Sequence, residues 1–247
     1  MGLAKQCVSI YRQRKMDNLK RIVKNIFIKK DIKRIKAKSL YLKYKSFTMI
    51  PAETFIDNLI LCDSINSIQG SIVECGVWRG GMIAGIYDFI EKKRECILFD
   101  SFEGLPNVKE IDGQAAKQWQ ENNNGVGLDN CKAEISFAQE AMKLANSKNH
   151  QIVKGWFDQT LPNTEITEPI AILRLDGDWY DSTMVCLQNL YPLVAENGIV
   201  IIDDYYAWDG CSRAVHDYLS QNNLPVRIYQ TSNDVCYIIN TKQGRKL

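Results

Sequence analysis

Ser71-Ile72-Val73-Glu74-Cys75-Gly76-Val77-Trp78-Arg79-Gly80-Gly81 is a short apolar run that breaks into a glycine-rich turn ahead of a helical pattern. A strand feeding such a turn opens a βαβ unit: glycine lets the backbone approach a ligand, and the following helix N-terminus offers free N–H groups. The same rhythm recurs along the chain. Strands read as Ser71–Val77, Cys96–Ser101, Gln151–Trp156, Ile170–Asp176 and Ile199–Asp204, with helices near 81–93, 132–147, 181–195 and 211–222. Pro51 opens a further helix over 52–66. Val226–Gln230 and Val235–Asn240, with Asn233-Asp234 between them, read as a terminal antiparallel hairpin. The expectation is an α/β, Rossmann-like fold with a mostly parallel seven-stranded sheet. The polar stretch from Asn107 to Asn130 reads as a mobile loop over the site.

Charge divides the chain in two. Residues 1–47 hold 15 Lys and Arg against 2 Asp and Glu, a net of +13; the remainder holds 16 against 27, a net of −11. A basic helical arm over 1–47 and a Rossmann-like domain over 48–247 are therefore expected. In the arm, Leu19, Ile22, Val23, Ile26 and Phe27 repeat at helical spacing and form one apolar stripe among lysines and arginines. That stripe suits packing on the domain or on another subunit, which implies a homo-oligomer. It also suits peripheral contact with an anionic membrane. Aromatic residues are sparse before Tyr41, so nucleic acid is not an expected partner. No run approaches the length of a transmembrane span, and the start lacks the pattern of a secretory signal. None of the eight cysteines forms a C-x-x-C pair and most sit in apolar runs, which reads as buried reduced thiols in a cytoplasmic protein.

Chemistry concentrates at the strand ends. Glu74 suits the ammonium of an amino-acid ligand better than a pyrophosphate, and the glycine spacing is not that of a nicotinamide site. Asp100, at the end of the second strand in Asp100-Ser101-Phe102-Glu103-Gly104, is placed to accept hydrogen bonds from ribose hydroxyls. Arg174-Leu175-Asp176-Gly177-Asp178-Trp179-Tyr180-Asp181 and Ile202-Asp203-Asp204-Tyr205 carry the strongest signal. Asp176 and Asp178 point to one side of an extended chain, and a neighbouring parallel strand brings Asp203 and Asp204 to the same edge. Such carboxylates repel unless a cation binds, and oxygen-only ligands favour Mg²⁺. The competing reading, a helix cap by Asp178 or Asp181, leaves the other aspartates without a purpose. His216 lies mid-helix and reads as a surface residue.

Together these segments, with Thr48-Met49 and Gly155-Trp156-Phe157, resemble the macrocin and mycinamicin sugar O-methyltransferases and the related noviose O-methyltransferase. The resemblance runs over roughly residues 46–220 and implies a class I S-adenosylmethionine methyltransferase fold. It implies that S-adenosyl-L-methionine contacts Thr48, Met49, Glu74, Cys75, Gly76, Val77, Trp78, Asp100, Ser101, Phe102 and Trp156. It further implies Mg²⁺ on Asp176, Asp203 and Asp204, with Asp178 as general base, Asp176 being the other candidate for that proton. The acceptor would be a small-molecule hydroxyl, on a sugar or otherwise. The final strand, Asp234-Val235-Cys236-Tyr237-Ile238, and the 107–130 stretch depart from the family pattern where the acceptor pocket is shaped. A nicotinamide dehydrogenase shares the sheet but would need another glycine spacing and a Tyr-x-x-x-Lys or His constellation, and a non-catalytic lipid or nucleic-acid binder working through the arm would leave the aspartate cluster unused.

Overall fold

The computed structural model describes residues 31–90, 94–123 and 130–241. The apolar stripe of the arm, Leu19–Phe27, lies outside them. The described chain starts in a helix over 31–44 (α1) and continues through α2 (Ala52–Ser64), β1 (Ser71–Cys75), α3 (Gly81–Phe89) and β2 (Cys96–Asp100). Next come α4 (Gly113–Asn123), α5 (Ile135–Leu144), β3 (His150–Lys154), the short α6 (Phe157–Thr160), β4 (Ile170–Leu175) and α7 (Tyr180–Leu190). The chain closes with β5 (Val194–Ile202), α8 (Asp209–Gln221), β6 (Ile228–Gln230) and β7 (Cys236–Ile239).

Seven strands form one sheet in the order β3-β2-β1-β4-β5-β7-β6. Every pairing is parallel except those of β7, which runs antiparallel to both β5 and β6. β1 and β4 are buried along their whole length, as a parallel sheet covered on both faces requires. Alternation sends Ile72, Cys96 and Leu98 into one core with Tyr44, Phe55, Ile83 and Met142. It sends Val73, Ile97 and Phe99 into the other, with Leu187, Tyr191, Val215 and Tyr218. The chain runs outward from β1 through β2 to β3 and then crosses back to β4. The crevice between β1 and β4 is thus the switch point where open α/β sheets bind ligands.

Three sequence expectations are corrected. The 107–130 stretch is not a bare loop: it holds a 3₁₀ turn over Glu110–Asp112 and then α4. The helix read over 181–195 stops at Leu190, a 3₁₀ turn with Pro192 follows, and β5 starts at Val194, five residues earlier than its apolar run suggests. Proline ends the helix because it cannot donate to the ladder. The helix read near 132–147 is shorter, Ile135–Leu144. The terminal hairpin is present as expected; Cys62, Cys75, Cys96, Cys186, Cys211 and Cys236 are free and buried, and Cys131 is half-buried.

α1 belongs to the first core through Ala37, Leu40 and Tyr44. The loop into β1 is held by Arg94, whose guanidinium donates to the carbonyls of Gly70, Asn66 and Ile68 at 2.8, 2.9 and 2.5 Å. Arg94→Ala strands three carbonyls and should lower stability by about 2 kcal/mol, or a melting temperature about 4 to 8 °C lower in calorimetry.

Candidate active site

At the end of β1 the backbone turns at Gly76, with φ +85°. A Cβ there would meet the Asp176 carbonyl oxygen at 1.7 Å, so only glycine lets the turns after β1 and β4 touch. Asp176 N–H donates to the Cys75 carbonyl at 2.9 Å, and Gly76 N–H to Phe99 at 2.8 Å. Asp100 fastens the neighbouring turn: Oδ2 accepts from the Val77 and Trp78 N–H groups at 2.8 Å each, and Oδ1 from Phe102 N–H at 2.6 Å. Burial raises its pKa against the pull of those three amides. A carboxylate has about four acceptor directions, so one remains open.

Below this turn lies an ion-pair network. Arg174, fully buried on β4, donates from one nitrogen to Glu74 Oε1 at 2.7 Å and to Asp176 Oδ2 at 2.8 Å. Its second amino group pairs with Asp203 Oδ1 at 2.5 Å. Glu74 Oε2 accepts from Ile83 N–H in the first turn of α3 at 3.1 Å. Burial lifts Glu74 to about 7 despite the arginine beside it.

The aspartates past β4 and β5 stand closer still. Asp176, Asp178 and Asp204 each offer an oxygen within 4.8 Å of the others, the one such group among the described residues. Asp203, expected beside Asp176 and Asp204, turns instead to Arg174. Asp204 Oδ2 accepts from Asp178 N–H at 3.0 Å, and Asp178 Oδ1 accepts from the Trp208 indole N–H at 3.0 Å. Burial and mutual repulsion push Asp176 to about 6, Asp178 to about 8 and Asp204 well up. Five carboxylates thus stand around one guanidinium, which pairs with three of them. A hard cation fits this all-oxygen set, because it would supply the missing positive charge. The cap explanation fails here: α7 has Trp179 at its cap position with no side-chain bond, and Asp181 pairs with Lys109.

A cavity of about 1080 Å³ spans these turns. Thr48, Met49, Glu74, Gly76, Val77, Trp78, Asp100, Ser101, Trp156, Asp176, Asp178, Asp203 and Asp204 all line it. Cys75 and Phe102 do not: the Cys75 side chain is buried in the second core and Phe102 in the first. Sequence reasoning gave no role to Arg174 or Trp208. Arginine inside the apolar run Ile170-Ala171-Ile172-Leu173-Arg174-Leu175 was a signal, because a buried charge demands partners. Trp208 carried none. It stands in an edge-to-face cluster with Trp179 at 5.3 Å and with Trp119 of α4 at 6.0 Å. α4 is docked further by the Trp179 indole N–H to Pro106 O and by Tyr180 N–H to Asp112 Oδ1, at 2.9 and 2.8 Å. His216 is exposed on α8, 2.8 Å from the Tyr205 hydroxyl.

The family model for macrocin-O-methyltransferase (TylF) matches residues 33–238, most of the chain. The chain belongs to this family. A demethyldecarbamoylnovobiocin O-methyltransferase of Streptomyces niveus is 33% identical over 183 residues, 70% of this chain and 66% of that protein. An 8-demethyl-8-(2,3-dimethoxy-α-L-rhamnosyl)-tetracenomycin-C 4′-O-methyltransferase of Streptomyces olivaceus is 36% identical over 172 residues, 66% and 64% of the two. The chain thus spans just under two thirds of the length of these relatives. The solved structure of the O-methyltransferase NovP superposes with a TM-score of 0.66 at 30% identity, covering 79% of this chain and 83% of that one. The family's fold, that of class I S-adenosylmethionine methyltransferases, is the one found here.

Removing the shared guanidinium leaves buried Glu74 without its counter-charge, beside the partly exposed Asp176 and Asp203. Arg174→Met should lower unfolding free energy by about 3 to 5 kcal/mol in urea titrations. Arg174→Lys should recover only part of this, since an ammonium lacks the fork that reaches carboxylates on both sides.

Proposed function

We propose that this protein is an S-adenosylmethionine- and Mg²⁺-dependent O-methyltransferase acting on a hydroxyl of a sugar or glycosylated small molecule. The observation that carries the reading is the group Asp176, Asp178 and Asp204 in the same cavity as the Gly76 turn, Glu74 and Asp100. The relatives' names, each an O-methyltransferase of a glycosylated natural product or its precursor, support the acceptor class.

When bound, S-adenosylmethionine supplies an electrophilic methyl group, and Mg²⁺ lowers the pKa of an acceptor hydroxyl. The chain's residues do the rest. Glu74 is disposed to take the ammonium of the methionine moiety, and the open acceptor direction of Asp100 faces a ribose. Trp156 borders the cavity where the adenine would lie. Asp176, Asp203 and Asp204 would hold the metal, and Asp178, whose Oδ1 accepts from the Trp208 indole N–H, would be the base. The cavity aligns acceptor oxygen, methyl and sulfur, which is most of what a donor with a built-in leaving group requires. A second assignment rests on the distances: Asp178 in the metal set in place of Asp203.

Chelation should abolish methyl transfer and Mg²⁺ should restore it. Asp204→Asn should lose Mn²⁺ binding, measured by electron paramagnetic resonance, while calorimetric affinity for S-adenosylmethionine holds. Asp178→Asn should bind Mn²⁺ normally and lose turnover; lost Mn²⁺ binding there, with Asp203→Asn unaffected, would favour the second assignment. Full turnover after metal stripping would overturn the metal mechanism.

A pH signature follows from the raised carboxylates. Their native pKa values exceed the unfolded ones, so the native state keeps protons that the unfolded chain has lost. Metal-free stability therefore declines as pH rises from about 4 through about 8. A cation displaces those protons, so saturating Mg²⁺ should raise the melting temperature more at about pH 8 than at about pH 6.

A further inference from the structure

We propose that the outer face of α1 docks on an anionic lipid surface. The inner face of this helix is committed to the domain: Ala37, Leu40 and Tyr44 are core residues. Its flanks are tied down by Lys33 to Asp63, Arg34 to Glu53 and Asp57, Lys36 to the Phe89 carbonyl and Lys43 to Asp88. Opposite the core stand Ile35, 69% exposed, and Leu42, 58% exposed, with Ile32, 59% exposed, at the edge of the same face. Helical spacing places Lys38 and Lys45 beside them, both exposed and without an ion pair among the described residues.

Large aliphatic side chains more than half exposed, flanked by lysines whose stems can lie along apolar surface, make up an interfacial helix face. Only Asp31 offsets the positive charge on this side. The sequence before it, residues 1–30, adds nine lysines and arginines against a single aspartate. The sequence leading into the helix thus carries the same sign of charge, the sign that anionic headgroups attract. A second copy of the chain fits less well. In a two-fold contact this positively charged face would meet a second copy of the same positive face. The face also leads into the cavity wall within a few residues, at Thr48 and the 59% exposed Met49. A docked α1 would hold the cavity rim at the lipid boundary.

The test is co-sedimentation of the full chain with vesicles of phosphatidylcholine containing phosphatidylglycerol, against vesicles of phosphatidylcholine alone. Binding should require the anionic lipid and weaken with salt. The double substitution Ile35→Asp, Leu42→Asp should reduce partitioning at least about tenfold, and Lys38→Glu, Lys45→Glu by a similar factor. Melting temperature and S-adenosylmethionine affinity should be unchanged in both, which separates this outcome from failure of the methyltransferase reading. A full chain that stays in the supernatant with anionic vesicles overturns the proposal. So does undiminished binding by the Ile35→Asp, Leu42→Asp protein, or a fall in its mass by light scattering, which assigns the face to self-association.

Discussion

Glu74 and Arg174 are register partners on adjacent parallel strands, and from that pairing the rest of the cavity floor follows. β4 lies between β1 and β5, so a long forked side chain at its carboxyl end can reach acids on both neighbours. Arg174 does so, collecting Glu74 from β1, Asp176 from its own strand end and Asp203 from just past β5. A guanidinium in this position costs desolvation energy that only well-made pairs offset. The pairs in turn fix where each carboxylate can point. Asp203 is drawn toward the arginine, which leaves Asp176 and Asp204 to face Asp178. Order of strands, identity of one residue and charge balance of the site are one constraint seen at three scales.

The turns above that floor are held in unusual backbone conformations. Trp78, Phe102 and Asp178, following β1, β2 and β4, all have positive φ, at 48, 56 and 56°. Non-glycine residues reach that region at an energetic cost, and three of them around one cavity show that the surrounding bonds dictate the conformation. For Trp78 and Phe102 the dictating group is Asp100, whose carboxylate collects amides from both turns. For Asp178 it is Asp204 below and Trp208 beside it. Trp78 and Asp178, which line the cavity, are thus presented by geometry that the folded chain has already settled.

The sheet was legible because its strands are apolar runs of ordinary length broken by glycine and aspartate. The acidic motifs were legible because several carboxylates gather at adjacent strand ends, where like charges demand a compensating positive charge. α4 was not legible. Its buried positions are Ala116 and Gln120, and Gln120 earns its place by bonding Val108 N–H and the Pro106 carbonyl rather than by apolarity. A helix whose inner face is alanine and glutamine leaves no periodic stripe to read. The division of labour among the aspartates was equally hidden, since it depends on which of them Arg174 captures. Sequence spacing specifies the edge of the sheet but not the rotamers along it. The link from Trp208 to Asp178 spans 30 residues and exists only once the turn after β5 has formed.

All five tryptophans of the chain belong to this one region. Trp78, Trp156 and Trp179 line the cavity, and Trp119 and Trp208 lean on Trp179. The indoles sit on the first turn, on the third strand end, on α4 and on the segments that flank α7 and α8. The tryptophan emission of the protein, and the indole share of its near-ultraviolet dichroism, therefore come from this one region rather than from distant parts. They form a built-in optical record of the cavity, in which a change of solvent, charge or spacing around one indole is passed to its edge-to-face neighbours. The molecule can be watched at its working end without attaching a label to it.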